Sequence, residues 1–230
     1  MRAARLLPAL ALVLAACGGE PEPATPRAGG APLAAALASP AAAPSAALRA
    51  GRTGEARAAL EAALARDPEA AGALNDLAVT YAAEERFDAA RQLFEEALAR
   101  GGAPEQQAAL VNLAELYALD GYLPAAQAHL DAAQAVDPAR AGPRYAAALL
   151  ADARGDRAAA EAALQAALDA DRAGAARREL VFVYPEEKLH LDALVAEASG
   201  DPAAPARWRE LARGRFPSLA QVAARHLEGS

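Results

Sequence analysis

The chain has 230 residues, 54% of them hydrophobic but only 4% aromatic, and a formal net charge of −7. That length supports one or two domains with a sizeable core. The acidic balance speaks against a nucleic-acid binder, which needs a basic face, and against adhesion to anionic lipid by charge alone. The one cysteine, Cys17, leaves no intramolecular disulfide framework and no multi-cysteine metal site. The chain is rich in alanine, leucine, arginine and glutamate, which are strong helix formers, so the expected class is all-α.

At the N-terminus Arg2 and Arg5 precede an apolar run of 11 residues, Leu6 to Ala16. A bilayer-spanning helix needs roughly 20 residues, so the run has the shape of an export signal rather than a span. Leu14-Ala15-Ala16-Cys17 resembles the bacterial lipobox: a branched apolar residue, two small ones, then cysteine. The resemblance implies a signal peptide over residues 1–16, a diacylglyceryl group on the Cys17 thiol, cleavage before it, and acylation of the new amine. Two or more acyl chains hold a protein on a membrane stably where one does not. Loss of Arg2 and Arg5 with the signal moves the formal charge from −7 to −9. In such lipoproteins an aspartate after the cysteine favours the inner membrane. Gly18 stands there, so the resemblance implies the outer membrane, facing the periplasm. Residues 18–44 carry six prolines and four glycines in 27 residues. With the lipidated Cys17, the stretch 17–44 is predicted to be a disordered tether with a root-mean-square reach of about 30 Å.

Beyond the tether the sequence repeats itself. Residues 51–68, 74–101, 110–138 and, more weakly, 144–171 align on Ala56, Ala90, Ala126 and Ala160, at intervals of 34, 36 and 34. Four places on stand Leu60, Phe94, Leu130 and Leu164, followed by Ala63, Ala97, Ala133 and Ala167. Alanine lets two helices approach closely, and the larger residue one turn later fills the gap on the same face. With Leu77-Ala78-Tyr81, Leu113-Ala114-Tyr117, turn glycines Gly51, Gly121 and Gly155, and closing Pro68 and Pro138, the array resembles tetratricopeptide repeats. The resemblance implies an α-solenoid over residues 45–171, of about four helix–turn–helix repeats. The first repeat is truncated by Pro40 and Pro44, so its first helix is expected over little more than Ser45 to Ala50. Glu85 replaces the turn glycine in the second repeat, and Ala151 the tyrosine in the fourth.

Residues 172–230 lose the clean motif but keep helical spacing. AGAARRELVFVY, residues 173–184, fits a helix or, over LVFVY alone, a buried strand; a single strand has no partner in an all-helical chain, so a helix is expected. Pro185 opens another helix; PARWRELARGRF, residues 205–216, gives its partner, the pair over 186–214 resembling a degenerate fifth repeat; and Pro217 opens a capping helix, which solenoids need to close an apolar end. Arg207, Arg209, Arg213, Arg215 and Arg225 make this region basic, while residues 55–100 hold ten acids against five arginines. This asymmetry either steers a partner or is a solvated face.

No catalytic constellation stands out. His129, His190 and His226 fall on three expected helices without ligand spacing, and the sequence has neither a nucleophile elbow nor a phosphate loop. The expectation is therefore a binding protein and not an enzyme, with no cofactor, metal or small-molecule substrate. In the family that the repeats resemble, the first helix of each pair lines a concave groove. Its outward positions here are Asn75, Val79, Ala82, Val111, Glu115, Leu119, Tyr145, Leu149 and Asp152. The groove has no lysine for a carboxylate clamp and suits an amphipathic helix or an extended segment. Tyr81 and Tyr117 fall on packing positions, and Trp208 is expected in the core. The implied role is a protein–protein scaffold or adaptor with one or more envelope proteins as partners. Such lipoproteins include pilotin-like factors for pilus or secretion secretins and adaptors of peptidoglycan enzymes. An envelope enzyme subunit is the remaining alternative.

Overall fold

The alanine ladder found in the sequence is the seam along which the helices pair. Ala56, Ala90, Ala126 and Ala160 are buried, as are Leu60, Phe94, Leu130 and Leu164 beside them. In this computed structural model residues 30–38 and 42–229 are described. The expected signal and the lipidation site Cys17 lie outside them.

Twelve helices run through the described residues, and their order follows the repeats. The first pair is α1 (Ala42–Arg49) and α2 (Thr53–Leu64). The second is α3 (Ala71–Ala83) with α4 (Phe87–Arg100), the third α5 (Ala103–Leu119) with α6 (Leu123–Val136), and the fourth α7 (Gly142–Ala153) with α8 (Arg157–Ala170). A short α9 (Ala175–Glu179) precedes α10 (Pro185–Ala198), which packs on α11 (Ala204–Leu211); α12 (Pro217–Glu228) closes the array against α11 and α7. α1 begins three residues earlier than expected, because Pro44 falls in its first turn, where the missing N–H costs nothing. At the reversals, Gly51, Gly121 and Gly155 take φ of +71°, +80° and +78°, and Glu85 takes +59° in their place. An L-residue is uncommon in that region.

Two sequence expectations are corrected here. Residues 180–184 are extended, not helical: Val181 forms an antiparallel bridge with Ala35. The missing strand partner comes from the stretch expected to be a free tether. Residues 30–38 are themselves extended, with Ala31, Leu33, Ala34 and Ala35 at most 2% exposed. This strap joins the two main apolar clusters. Leu33 and Ala34 belong to the one built around Tyr145, Leu149, Leu191 and Trp208, and Ala35 to the one around Leu60, Leu77, Phe94 and Leu116.

The strap explains an oddity of α3 and α5. In α3, 11 of 13 residues are buried, so it has no solvent face; a helix buried all round needs a cover on every side. α4 and α5 cover two sides, and the strap covers the inner one.

Candidate functional site

The inner faces of α3 and α5 carry four buried polar side chains, Asn75, Asp76, Asn112 and Glu115, each at most 1% exposed. Asp76 and Asn112 hold the same place in consecutive repeats, directly before the Leu-Ala pair. Buried polar groups need partners, and the strap's backbone supplies them. Asn112 takes one residue as a unit: its Oδ1 accepts from the Ala36 N–H at 2.7 Å and its Nδ2 donates to the Ala36 carbonyl at 2.9 Å. Asn75 Nδ2 donates to the same carbonyl at 3.0 Å, and Asn112 Nδ2 also donates to Asn75 Oδ1 at 2.9 Å. Asp76 Oδ1 accepts from the Ala38 N–H at 2.8 Å and Glu115 Oε2 from the Leu33 N–H at 2.5 Å.

The far side of the strap is held as well. The Ala35 N–H donates to the Val181 carbonyl at 2.8 Å, and the Ala35 carbonyl accepts from the Val181 N–H at 2.9 Å. Ala31 N–H donates to the Ala118 carbonyl at 3.0 Å, and Ser218 Oγ of α12 to the Gly30 carbonyl at 2.9 Å. At Gly30 the strap lies against the end of α5 so closely that a Cβ would sit 1.6 Å from the Leu119 carbonyl oxygen. Gly30→Ala is therefore expected to cost about 1–3 kcal/mol through the shift it forces. A urea titration checks this, as a lower midpoint at unchanged slope. An unchanged midpoint would show that the strap is not seated there.

Beneath the strap two carboxyl groups meet. Glu115 of α5 and Glu187 of α10 are both buried, and Glu187 Oε2 accepts from the Val183 N–H at 2.8 Å. Burial pushes the Glu115 carboxyl up to about 8, against the pull of the Leu33 N–H and of Glu187. Burial, followed by the charge of Glu115, pushes Glu187 well above the carboxylate range. Two carboxyls in contact at low dielectric share a proton rather than both ionise.

A second polar cluster joins the C-terminal helices to α7. Asp152 Oδ2 lies 2.7 Å from His190 Nε2 and its Oδ1 lies 2.9 Å from His226 Nε2. His226 Nδ1 lies 2.7 Å from Glu197 Oε2, which also accepts from Trp208 Nε1 at 2.7 Å. The Trp208 ring stacks on His226 with centroids 4.0 Å apart, and Arg225 donates to the Asp152 carbonyl at 2.9 Å. Burial pushes the Asp152 carboxyl up, but the hydrogen bonds and charges of the two histidines outweigh it and leave it well below the usual range. For His226 burial acts downward, and Asp152 and Glu197 raise it on balance. Two of the three histidines that look scattered in the sequence, His190 and His226, are thus brought together in a buried joint, while His129 stacks on Tyr117. Among the described residues no three His, Cys, Asp or Glu side chains are placed to hold a metal ion.

The nine sequence-predicted groove residues do not form an open groove. Asn75 and Glu115 meet the strap; Val79, Ala82 and Val111 are buried, and Leu119 is half-buried beside Gly30. Tyr145 is buried, with its hydroxyl 3.1 Å from Asp171 Oδ2, Leu149 is fully buried, and Asp152 holds the histidines. Asp76, Asn112, Glu187 and the strap escaped sequence reasoning. The shared repeat position of Asp76 and Asn112 was the available signal. Of the basic residues, Arg215 lies over the Tyr184 ring at 4.2 Å and reaches Glu85, and Arg207 pairs with Asp201. Trp208 is in the core, as expected.

Residues 45–103 and 76–143 match the family described as Tetratricopeptide repeat. No curated protein matches the chain.

Proposed function

We propose, from the premise that this chain carries tetratricopeptide repeats, that it is a lipid-anchored adaptor of the bacterial envelope. The repeats make it a protein-interaction scaffold. The lipobox-like Leu14-Ala15-Ala16-Cys17 supports an anchor at Cys17, and Gly18 supports the outer membrane with the folded part in the periplasm. The single observation that carries the binding role is the set of buried amide and carboxyl groups on α3 and α5, which recognise an extended main chain without regard to most of its side chains. Recognition of that kind suits assembly partners rather than a turned-over substrate. Pilotin-like factors and adaptors of peptidoglycan enzymes share this architecture, and the choice between them rests with the partner.

Fractionation tests the anchor. The native chain is expected in the detergent-soluble outer-membrane fraction and Cys17→Ala in the soluble periplasmic one, because an acyl chain contributes about 0.8 kcal/mol per buried CH₂ and a net charge of −7 does not draw the chain to anionic lipid in its place. Equal distribution of the two would remove the lipid anchor from the reading. A photo-crosslinker carried in turn on the exposed faces of the repeats tests the adaptor role. Reproducible capture of one envelope protein from one face is expected, and uniform weak capture from all faces would count against it.

A further inference from the structure

Every polar contact of the strap described above is made by its backbone: the N–H groups of Ala31, Leu33, Ala35, Ala36 and Ala38, and the carbonyls of Gly30, Ala35 and Ala36. Side chains enter only through size. Leu33 is fully buried, Ala34 and Ala35 are buried where small residues fit, and Gly30 has no room for a Cβ. Residues 30–38 carry no charge. Nothing in these contacts distinguishes the strap from another chain of the same shape.

We propose that residues 31–38 are a displaceable stand-in for a partner segment, and that the segment replacing them is an extended, uncharged stretch of small residues carrying one leucine. The proposal rests on the adaptor reading and names the class of partner for its groove.

Two features favour exchange over a permanent seat. The first is the carboxyl pair. Glu115 Oε2 holds the strap through Leu33 and Glu187 Oε2 holds its cover, residues 180–184, through Val183. Strap and cover therefore hang on two carboxyl groups that share one proton between them. The Tyr184 phenol feels the charge of both carboxyls, together with that of Glu85 and of Arg215, which lies over its ring. Loss of the shared proton puts two negative charges side by side under the strap and loosens strap and cover together. The second feature is the cost of an empty groove. Asn75, Asp76, Asn112 and Glu115 would be left without the strap's backbone groups, and an unsatisfied buried polar group is strongly unfavourable. Release is therefore coupled to the arrival of a chain offering the same N–H and carbonyl pattern.

The test uses the full chain and a labelled peptide copy of residues 30–38, blocked at both ends. Leu33→Ala weakens the strap and leaves a leucine-sized gap. The peptide is expected to bind this variant at least tenfold more tightly than the native chain. Adding Asn112→Ala is expected to abolish the binding, as is replacing the peptide's first leucine by aspartate. Absence of binding to folded Leu33→Ala would overturn the proposal. Hydrogen exchange on the unaltered chain decides the matter independently, should the variant fail to fold. The amides of residues 31–38 are expected to open well before those of α4; exchange of both only through global unfolding would show the strap to be permanent. That result would take the α3 and α5 groove out of the adaptor reading, which would then rest on the repeats alone with a contact face on the outside of the solenoid, and face-by-face crosslinking tests that face separately.

Discussion

Asp152→Ala is expected to destabilise the protein by about 3–5 kcal/mol, the cost of breaking a buried ion-pair network from one side. The carboxylate of Asp152 is the point on which His190 of α10 and His226 of α12 converge, at 2.7 and 2.9 Å. Its removal leaves two imidazoles facing a void in the core, with no solvent to replace the acceptor. Asp152→Asn keeps an acceptor oxygen but loses the charge, so a smaller loss is expected. The single tryptophan reports on the joint directly, since Trp208 stacks on His226 and donates to Glu197. Urea titration followed by its fluorescence measures the change, and a loss below about 1 kcal/mol would show that the joint carries little of the C-terminal packing. Acid has a related effect. Asp152 titrates below its ordinary 3.8 in the folded chain, so its contribution is present above that value and is lost as pH falls through the depressed one.

Raising the pH from about 5 to about 8 is expected to weaken the fold by several kcal/mol, through Glu115 and Glu187. The folded chain holds a proton here that the unfolded chain releases. Glu115 titrates at about 8 when folded against an ordinary 4.5. A raised carboxyl stabilises fully below its unfolded value and loses that contribution as pH climbs through the folded one. His226, also raised, loses stability in the same direction, while burial lowers His129 and so acts oppositely. Glu115→Gln separates these terms. The amide keeps an acceptor for the Leu33 N–H and offers a donor to Glu187, so the variant is expected to be more stable than the native chain at pH 8.5, by about 1–3 kcal/mol. Denaturant titrations of both chains at pH 5 and pH 8.5 check this. A native chain with the same pH dependence as Glu115→Gln would mean that the two carboxyls do not share a proton.

The repeats were legible because they are local. The spacing from Ala90 to Phe94 to Ala97 lies within one helix, and the partner helix is a turn away. The strap was not legible, for two physical reasons. Its contacts use main-chain groups that every residue possesses, so a proline- and alanine-rich composition looks the same whether the stretch is free or seated. Its partners are also distant in sequence: LVFVY was expected to be helical because no second strand could be seen, and the pairing residue is Ala35. The inner positions of α3 and α5 were half legible. Asn75 and Glu115 were placed on the groove face, but Asp76 and Asn112 were not, because the repeat was read through its apolar and small residues. His190 and His226 gave no signal, since only the docking of α10 and of α12 on α7 brings them to one carboxylate.

The strap also alters how this molecule comes apart. An open array of repeats unfolds piecemeal from its ends, because each unit touches only its neighbours. Here Ser218 holds Gly30 across 188 positions of sequence. Loop closures of that span are entropically costly and form late. Shortening α12 is therefore felt at α3 and α5 through the strap, and α12 must dock before Gly30 and the residues that follow it can settle.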